Sequence, residues 1–241
     1  MKRLLDILLS VFGLLVSAPV ILPVMFLVWR QDGASPFYIA PRVACGGGEF
    51  RMVKLRSMVK GADKSQVDST SANDMRITKV GHFIRRYKLD EITQLWNVLR
   101  GDMSLVGPRP NVKREVDLYT AVEKHLLDVR PGITDFASIV FSDEGDILAD
   151  KDDPDIAYNQ LIRPWKSRLG LFYVDHSGVW LDLKLIVLTV VAIASRPSAL
   201  HKVSGMLANM GAEPDLVRVA MRKDALTPQP PPGSDEVVSH R

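Results

Sequence analysis

The chain has 241 residues, 46% of them hydrophobic, with 31 Lys and Arg against 28 Asp and Glu and a formal net charge of +3. That length accommodates one core domain plus a membrane element and a tail, and so slight a basic balance, without zinc-finger spacing or an aromatic-rich basic patch, argues against nucleic acid as a partner. Mild basicity suits an anionic membrane surface, and the single cysteine, Cys45, excludes an intrachain disulfide and a thiolate zinc site.

From Leu4 to Trp29 the only charge is Asp6, and this run is long enough for a membrane-spanning helix. A signal peptide fits poorly, since the run is long, holds prolines and lacks a cleavage site. Ser17-Ala18-Pro19 sits near its centre and Pro23 follows one turn later, and each proline removes a helix hydrogen bond and favours a kink. Lys2 and Arg3 precede the run, and Arg30 and Arg42 follow it, so the positive-inside rule places both ends in the cytoplasm. A helix-break-helix that dips into one leaflet and returns satisfies both facts; a kinked single span is the other arrangement. The expected organisation is a re-entrant membrane helix over 1–30, a cytoplasmic domain over 31–195 and a weakly structured tail over 196–241.

Next, Phe37 to Ala44 and Glu49 to Arg56 flank Gly46-Gly47-Gly48 and predict a β-hairpin. Lys54 and Arg56 share one face of its second strand, because side chains alternate with period two; cations protecting a solvated edge strand would show the same pattern. Gly61 to Asn73 is polar and aperiodic and predicts a mobile loop. Arg76, Lys79, Arg85, Arg86 and Lys88 then follow without an acid among them. Such a run is often a solvated helix face or a membrane-facing patch, but neither explains why it abuts Asp90-Glu91.

After those acids, Ile92, Leu95, Trp96, Val98 and Leu99 recur at helical spacing up to Gly101, so both carboxylates fall in the first turn of a predicted helix. Acids are favoured there as caps and against the helix dipole, by about 1 kcal/mol. Flanking cations would also hold a carboxylate ionised, and an ionised Asp attacks phosphorus or binds Mg2+. Gly107-Pro108-Arg109-Pro110 then forms a rigid turn whose Arg109 projects a planar fork suited to a diphosphate, although most such turns are ordinary loops.

Val112 to Leu127 predicts a helix, and Arg130-Pro131-Gly132-Ile133-Thr134 predicts a turn before an apolar stretch ending at Phe141. The acids between Asp143 and Asp155 lack the spacing of a calcium loop and suit solvated turns better. Leu185 to Ala194 is too short to span a bilayer and predicts a helix against the core or in the membrane interface. Beyond Ser195, six prolines with little apolar pattern predict the weakly folded tail. The fold class is therefore α+β and mostly helical, with a small β-hairpin, an N-terminal re-entrant membrane element and interfacial amphipathic helices.

These pieces together resemble the bacterial sugar transferase family, the monotopic polyprenyl-phosphate phosphoglycosyl transferases. The resemblance rests on Lys2-Arg3 with Asp6, Ser17-Ala18-Pro19, Lys54-Leu55-Arg56-Ser57-Met58, Leu89-Asp90-Glu91, Gly101 to Pro110, Arg130 to Thr134, and Leu181-Asp182-Leu183-Lys184, and it covers about residues 1 to 195. It implies a membrane helix broken at Ser17 and Pro19, and a bacterial inner-membrane enzyme with its active site on the cytoplasmic face. It also implies transfer of a sugar 1-phosphate from a UDP-sugar to undecaprenyl phosphate with release of UMP, initiating exopolysaccharide, O-antigen, capsule or glycoprotein glycan synthesis, with downstream glycosyltransferases as further partners.

Carried over by resemblance, Asp90 is the nucleophile of a phosphosugar-aspartyl intermediate and Glu91 its partner near Mg2+, with Asp90 a further metal contact. Lys54, Arg56, Arg85 and Arg109 become phosphate and nucleotide contacts. The residues alone permit Asp90 and Glu91 to exchange roles. Departures are Asp135-Phe136-Ala137-Ser138 where many members have Gly-Trp-Ala-Gln, and Gly170 where many have Asp; the expected form is the small one without a multi-helix N-terminal domain. The other readings are a membrane-attached non-catalytic scaffold and a Mg2+-dependent nucleotide-sugar diphosphate hydrolase.

Overall fold

A computed structural model describes residues 1–62 and 74–239. The predicted mobile loop therefore lies outside the described residues except for Gly61 and Ala62. Helix α1 spans Lys2–Asp32 and is the one helix among the described residues long and apolar enough to cross a membrane. Its inner face buries Asp6, Ser10, Ile21, Val24 and Val28, spaced so that one stripe of the helix lies along the body. Its outer face stays apolar and exposed: Phe12, Leu15 and Leu22 keep 65%, 69% and 61% of their surface.

The helix does not break where the sequence predicts. Pro19 and Pro23 lie inside continuous helix, and the Ser17 hydroxyl donates to the Leu14 carbonyl at 3.3 Å. Each proline deletes only its own N–H bond, so the remaining ladder keeps both flanks helical. Both ends of α1 are bound to the same body. Lys2 Nζ reaches Asp182 Oδ2 at 2.6 Å, the Asp6 carboxylate accepts from Ser104 Oγ and the Leu105 N–H, and at the far end Asp32 accepts from Arg56 at 2.7 Å.

Strands β1 (Phe37–Val43) and β2 (Glu49–Leu55) form the predicted antiparallel hairpin, with Tyr38 opposite Lys54 and Arg42 opposite Phe50. Gly46 and Gly47, at φ 75 and 84, supply the positive backbone angles that reverse the chain. Helices α2 (Lys79–Arg86), α3 (Leu89–Ile92) and α4 (Leu95–Arg100) follow, and α4 ends at Gly101 in the left-handed conformation, where the sequence places its stop. Ile21, Val24, Val28, Leu55, Ile84 and Leu89 make one apolar cluster that locks α1, β2, α2 and α3 together.

Strand β3 (Ser104–Val106) pairs in parallel with β4 (Gly132–Thr134), a contact the sequence reading does not anticipate. A Cβ on Gly132 would lie 2.1 Å from the Gly107 nitrogen, and one on Gly107 would lie 2.3 Å from the Arg130 carbonyl oxygen, so two glycines permit this close approach. Between the strands, the helix predicted over 112–127 is instead a single turn, α5 (Lys113–Val116), and a later 3₁₀ segment, Glu123–Asp128. A capping box interrupts it: Thr120 Oγ1 accepts from the Glu123 N–H at 3.0 Å, and the Glu123 carboxylate accepts from the Thr120 N–H at 3.1 Å.

Short helices α6 (Phe136–Val140), α7 (Glu144–Ile147) and α8 (Pro154–Ala157) lead into the long helices α9 (Arg163–His176), α10 (Val179–Ala194) and α11 (Arg196–Asn209), and the last helix is α12 (Pro214–Ala220). Helix α10 buries Leu181, Asp182, Leu185 and Leu188 while Trp180, Val187, Val190 and Ile193 remain exposed, so it meets the core and keeps an outward apolar face.

The expected weak tail over 196–241 is corrected by α11 and α12, which bury Ala199, Leu200, Val203, Leu207, Leu216 and Ala220 in the main core with Phe136, Val140 and Leu185. Pro197 and Pro214 sit in the first turns of those helices, where a proline costs no hydrogen bond, so they start helices rather than forbid them. Residues beyond Ala220 form no further helix or strand as far as Ser239, yet they are held to the body: Thr120 Oγ1 donates to the Pro232 carbonyl at 2.5 Å and Gln160 Nε2 to the Val238 carbonyl at 2.7 Å.

Candidate active site

The Asp90-Glu91 pair projects from α3, and three local features aim it. Lys88, immediately before the helix, adopts φ 55 and ψ 27, a left-handed turn that costs a non-glycine residue about 1 kcal/mol and reorients the chain after α2. Thr93 Oγ1 lies within hydrogen-bond reach of the Val53 carbonyl at 3.2 Å and the Asp90 carbonyl at 3.1 Å, tying α3 to β2. Asn97, fully buried, donates to the Arg51 carbonyl at 2.8 Å and accepts from the Val53 N–H at 2.9 Å, so an α4 side chain completes the edge of β2. Neither Thr93 nor Asn97 stands out in sequence as more than a polar interruption of a helix.

The two carboxylates are placed very differently. Glu91 Oε1 accepts from Arg109 Nη2 at 2.8 Å. Among the described residues the one cation within 4.0 Å of the Asp90 carboxylate is Lys54, whose Nζ lies 4.0 Å from Oδ2, and the Asp90 side chain is 16% exposed. Burial pushes the Asp90 carboxyl above the ordinary carboxylate range; Lys54 opposes that rise and the neighbouring Glu91 charge adds to it. Burial also opposes the Glu91 charge, but Arg109 above all, with Lys54 and Lys88, holds Glu91 below its usual range. Flanking cations thus keep Glu91 ionised as the sequence predicts, whereas at Asp90 burial outweighs them. Lys54 is itself lowered to about 8 by burial and by the nearby Arg109 charge.

Asp90, Glu91, Lys54, Arg85 and Arg109 line one open cleft of about 1680 Å³, together with Arg42, Lys166, Thr189 and Ile193. Arg85 Nε donates to Ser57 Oγ at 3.0 Å, which steadies its guanidinium on the cleft wall. Arg56 also borders the cleft, but its guanidinium is bidentate to the Asp32 carboxylate, so it is the brace between β2 and the end of α1. Its place among the expected phosphate contacts is thus shared with a structural duty. Ser17 and Pro19 lie on α1, and neither lines the cleft.

Turn Gly107–Pro110 sets Arg109 through the Gly107–Gly132 contact and through α9. A Cβ on Gly170 would lie 2.7 Å from Leu126 Cδ2 and 3.8 Å from Pro108 Cβ, so glycine lets α9 close on this turn. Asp135 is likewise structural: it caps α6, its carboxylate accepting from the Ser138 N–H at 2.7 Å. Of the acids between Asp143 and Asp155, Asp143 pairs with Arg196 at 2.8 Å and Asp153 accepts from the N–H groups that start α8. Glu144 pairs directly with Lys166, and both line the cleft.

Among the described residues no group of three or more His, Cys, Asp or Glu side chains is placed to hold a metal. The dyad offers oxygen donors only, which suits Mg2+ sharing its shell with phosphate oxygens and water. The scarcely bonded, buried Asp90 carboxylate also fits such an ion, because a divalent charge would favour its ionised form.

An apolar helix laid on a small α+β body, beside a cationic cleft with a paired carboxylate at its base, is an arrangement for handling phosphate. A family profile described as bacterial sugar transferase matches residues 1–196, and the chain belongs to that family. A UDP-N-acetylgalactosamine-undecaprenyl-phosphate N-acetylgalactosaminephosphotransferase from Aeromonas hydrophila is 32% identical over 197 residues, 80% of this chain and 43% of that protein. A UDP-glucose:undecaprenyl-phosphate glucose-1-phosphate transferase from Xanthomonas campestris pv. campestris is 34% identical, over 82% of this chain and 40% of its own length. The exopolysaccharide production protein ExoY from Sinorhizobium fredii is 36% identical over 148 residues, 55% of this chain and 66% of that protein. The chain thus spans less than half the length of the first two.

Proposed function

We propose that this protein transfers a sugar 1-phosphate from a UDP-sugar to undecaprenyl phosphate and releases UMP. The observation that carries the reading is the asymmetry of the dyad: Glu91 is held by Arg109, while Asp90 faces the cleft with no hydrogen bond to its carboxylate among the described residues. A nucleophile needs a free oxygen, so the asymmetry favours attack by Asp90. Its carboxylate oxygen bonds to the sugar-bearing phosphorus as the bond from that phosphorus to the bridging oxygen breaks, and UMP leaves with the electron pair. An oxygen of undecaprenyl phosphate then attacks the same phosphorus, forms the lipid diphosphate sugar and frees Asp90.

Lys54, Arg85 and Arg109 neutralise phosphate charge as it redistributes. Mg2+ on the dyad would supply further charge neutralisation at the phosphates. The exposed outer face of α1 enters one leaflet of the bacterial inner membrane and keeps both helix ends at the cytoplasmic face, a placement supported by the binding of both ends to one body. The product starts the assembly of an exopolysaccharide or related glycan, a reading supported by the relative named as an exopolysaccharide production protein.

The test incubates membranes carrying the protein with undecaprenyl phosphate, Mg2+ and a panel of labelled UDP-sugars, following label into the lipid phase alongside UMP release. Lipid-linked label that disappears in Asp90→Asn is the expected result. Label that never enters the lipid phase with any donor overturns the reading, and aqueous sugar phosphate with UMP makes the protein a hydrolase.

A further inference from the structure

Five cations of the cleft have identifiable duties. Arg109 holds Glu91, Arg56 holds Asp32, Lys166 holds Glu144, Arg85 is fixed on Ser57, and Lys54 stands beside Asp90. Arg42 differs. It lines the same cleft from β1, is only partly exposed, and its one side-chain hydrogen bond among the described residues runs from Nη1 to the neighbouring Pro41 carbonyl at 2.9 Å. Among the described residues no carboxylate lies within 4.0 Å of it. Burial disfavours its cation most, the Tyr38 and Glu115 groups favour it, and the Arg109 and Arg114 charges act more weakly against it. A half-buried guanidinium with no carboxylate in ion-pair range is stabilised when an anion arrives to meet it.

The hairpin register says where that anion sits. Tyr38 lies opposite Lys54 and Arg42 opposite Phe50, so Arg42 and Lys54 point from the same face of the sheet, four residues apart along the strands. That separates their Cα atoms by roughly 13 Å, a span their long side chains close from both sides with Arg109 acting electrostatically on both. Lys54 marks the end next to Asp90, where phosphorus is attacked. Arg42 marks the other end, one phosphate further out.

We propose that Arg42 binds the nucleoside-side phosphate of the donor, the group that leaves when Asp90 attacks. This rests on the nucleotide-sugar reading above and adds the residue that receives the leaving group. As the bond to the bridging oxygen breaks, that oxygen keeps the electron pair and becomes a terminal oxygen of the nucleoside monophosphate, and the Arg42 fork meets the new charge. No proton moves in this contact, since the guanidinium stays protonated throughout.

The full-length protein in membranes tests this with UMP as a product inhibitor. Arg42→Gln is expected to weaken UMP inhibition and raise the KM for the UDP-sugar by about tenfold or more, the loss of one charge-assisted contact, with the KM for undecaprenyl phosphate changed by less than about twofold. Arg42→Lys, which keeps the charge and tests the site independently of any folding defect in the glutamine variant, is expected to fall between. An unchanged UMP inhibition constant in either variant overturns the proposal, as does an equal loss toward undecaprenyl phosphate. Wild-type protein that releases no UMP from any UDP-sugar overturns the underlying reading instead.

Discussion

Two carboxylates of this protein, one buried and one partly buried, have opposite surroundings. Glu123 is fully buried and saturated: it accepts from Arg163 Nε at 3.0 Å and Nη2 at 2.5 Å, from Ser167 Oγ at 2.7 Å and from the Thr120 N–H at 3.1 Å. Asp90 is partly buried, its side chain 16% exposed, and its nearest ion-pair partner among the described residues is an ammonium 4.0 Å away. The first arrangement spends the charge on holding α9 to the segment before it. The second keeps a carboxylate poorly bonded at the base of a cationic cleft, a state that is costly for stability and useful for chemistry. Buried acids in this chain therefore divide by how completely they are bonded.

The sharpest way to break that comparison is to neutralise Asp90. Asp90→Asn should lower sugar-phosphate transfer by about a thousandfold or more while changing the unfolding midpoint little, read by lipid-phase label and by thermal unfolding in the same preparation. Glu123→Gln should do the reverse. Removing one partner of a saturated buried pair costs about 3–5 kcal/mol, so the melting temperature drops by several degrees while the activity of the protein that remains folded is kept.

Arg109→Lys probes a group between the two extremes. It keeps the charge but loses the fork that holds Glu91, and transfer should fall by about ten- to a hundredfold with stability nearly unchanged, measured as kcat/KM. The smallest effect is in pH. Lys54, lowered to about 8, loses its proton and its attraction for phosphate as pH rises through that value, so kcat/KM should decline on the alkaline side. On the acid side the raised Asp90 group gains a proton and rate falls again, giving a bell whose alkaline limb moves upward in Lys54→Arg wherever that variant remains active. A profile flat through pH 8 would remove Lys54 from the phosphate site.

Much of the site was legible along the chain because its parts are local. The hairpin follows from two β-rich runs about three glycines, and the Asp90-Glu91 pair sits in the first turn of α3, although the single helix predicted up to Gly101 divides into α3 and α4 at Thr93-Gln94. Lys54 and Arg85 enter the cleft by the same logic, from a strand face and a basic run. Arg56 shows the limit: strand parity puts it beside Lys54, yet Asp32, more than twenty residues earlier, takes its guanidinium. Arg42 shows the converse, a residue that reads as a flanking charge of the membrane run until the hairpin folds it onto the cleft.

The longer-range features were hidden for a shared reason. Parallel pairing of β3 with β4 needs two short apolar runs separated by a crossover, and only the facing glycines 107 and 132 hint at it. The interruption of the helix expected over 112–127 lies in Thr120 and Glu123, whose carboxylate is also claimed by α9. Helices α11 and α12 carry apolar stripes too sparse to announce burial, and they are stable because the core already offers a surface for them.

The sequence by itself determined the apolar N-terminal helix, the hairpin, the helix after Asp90-Glu91 and the concentration of cations around that pair, since periodicity and turn chemistry act over a few residues. Only the tertiary structure decided that α1 runs unbroken through its prolines, that the last helices join the core, and which cation meets which carboxylate. Those outcomes depend on what comes within 3 or 4 Å after folding, and burial sets the electrostatics there more strongly than neighbours in the chain do.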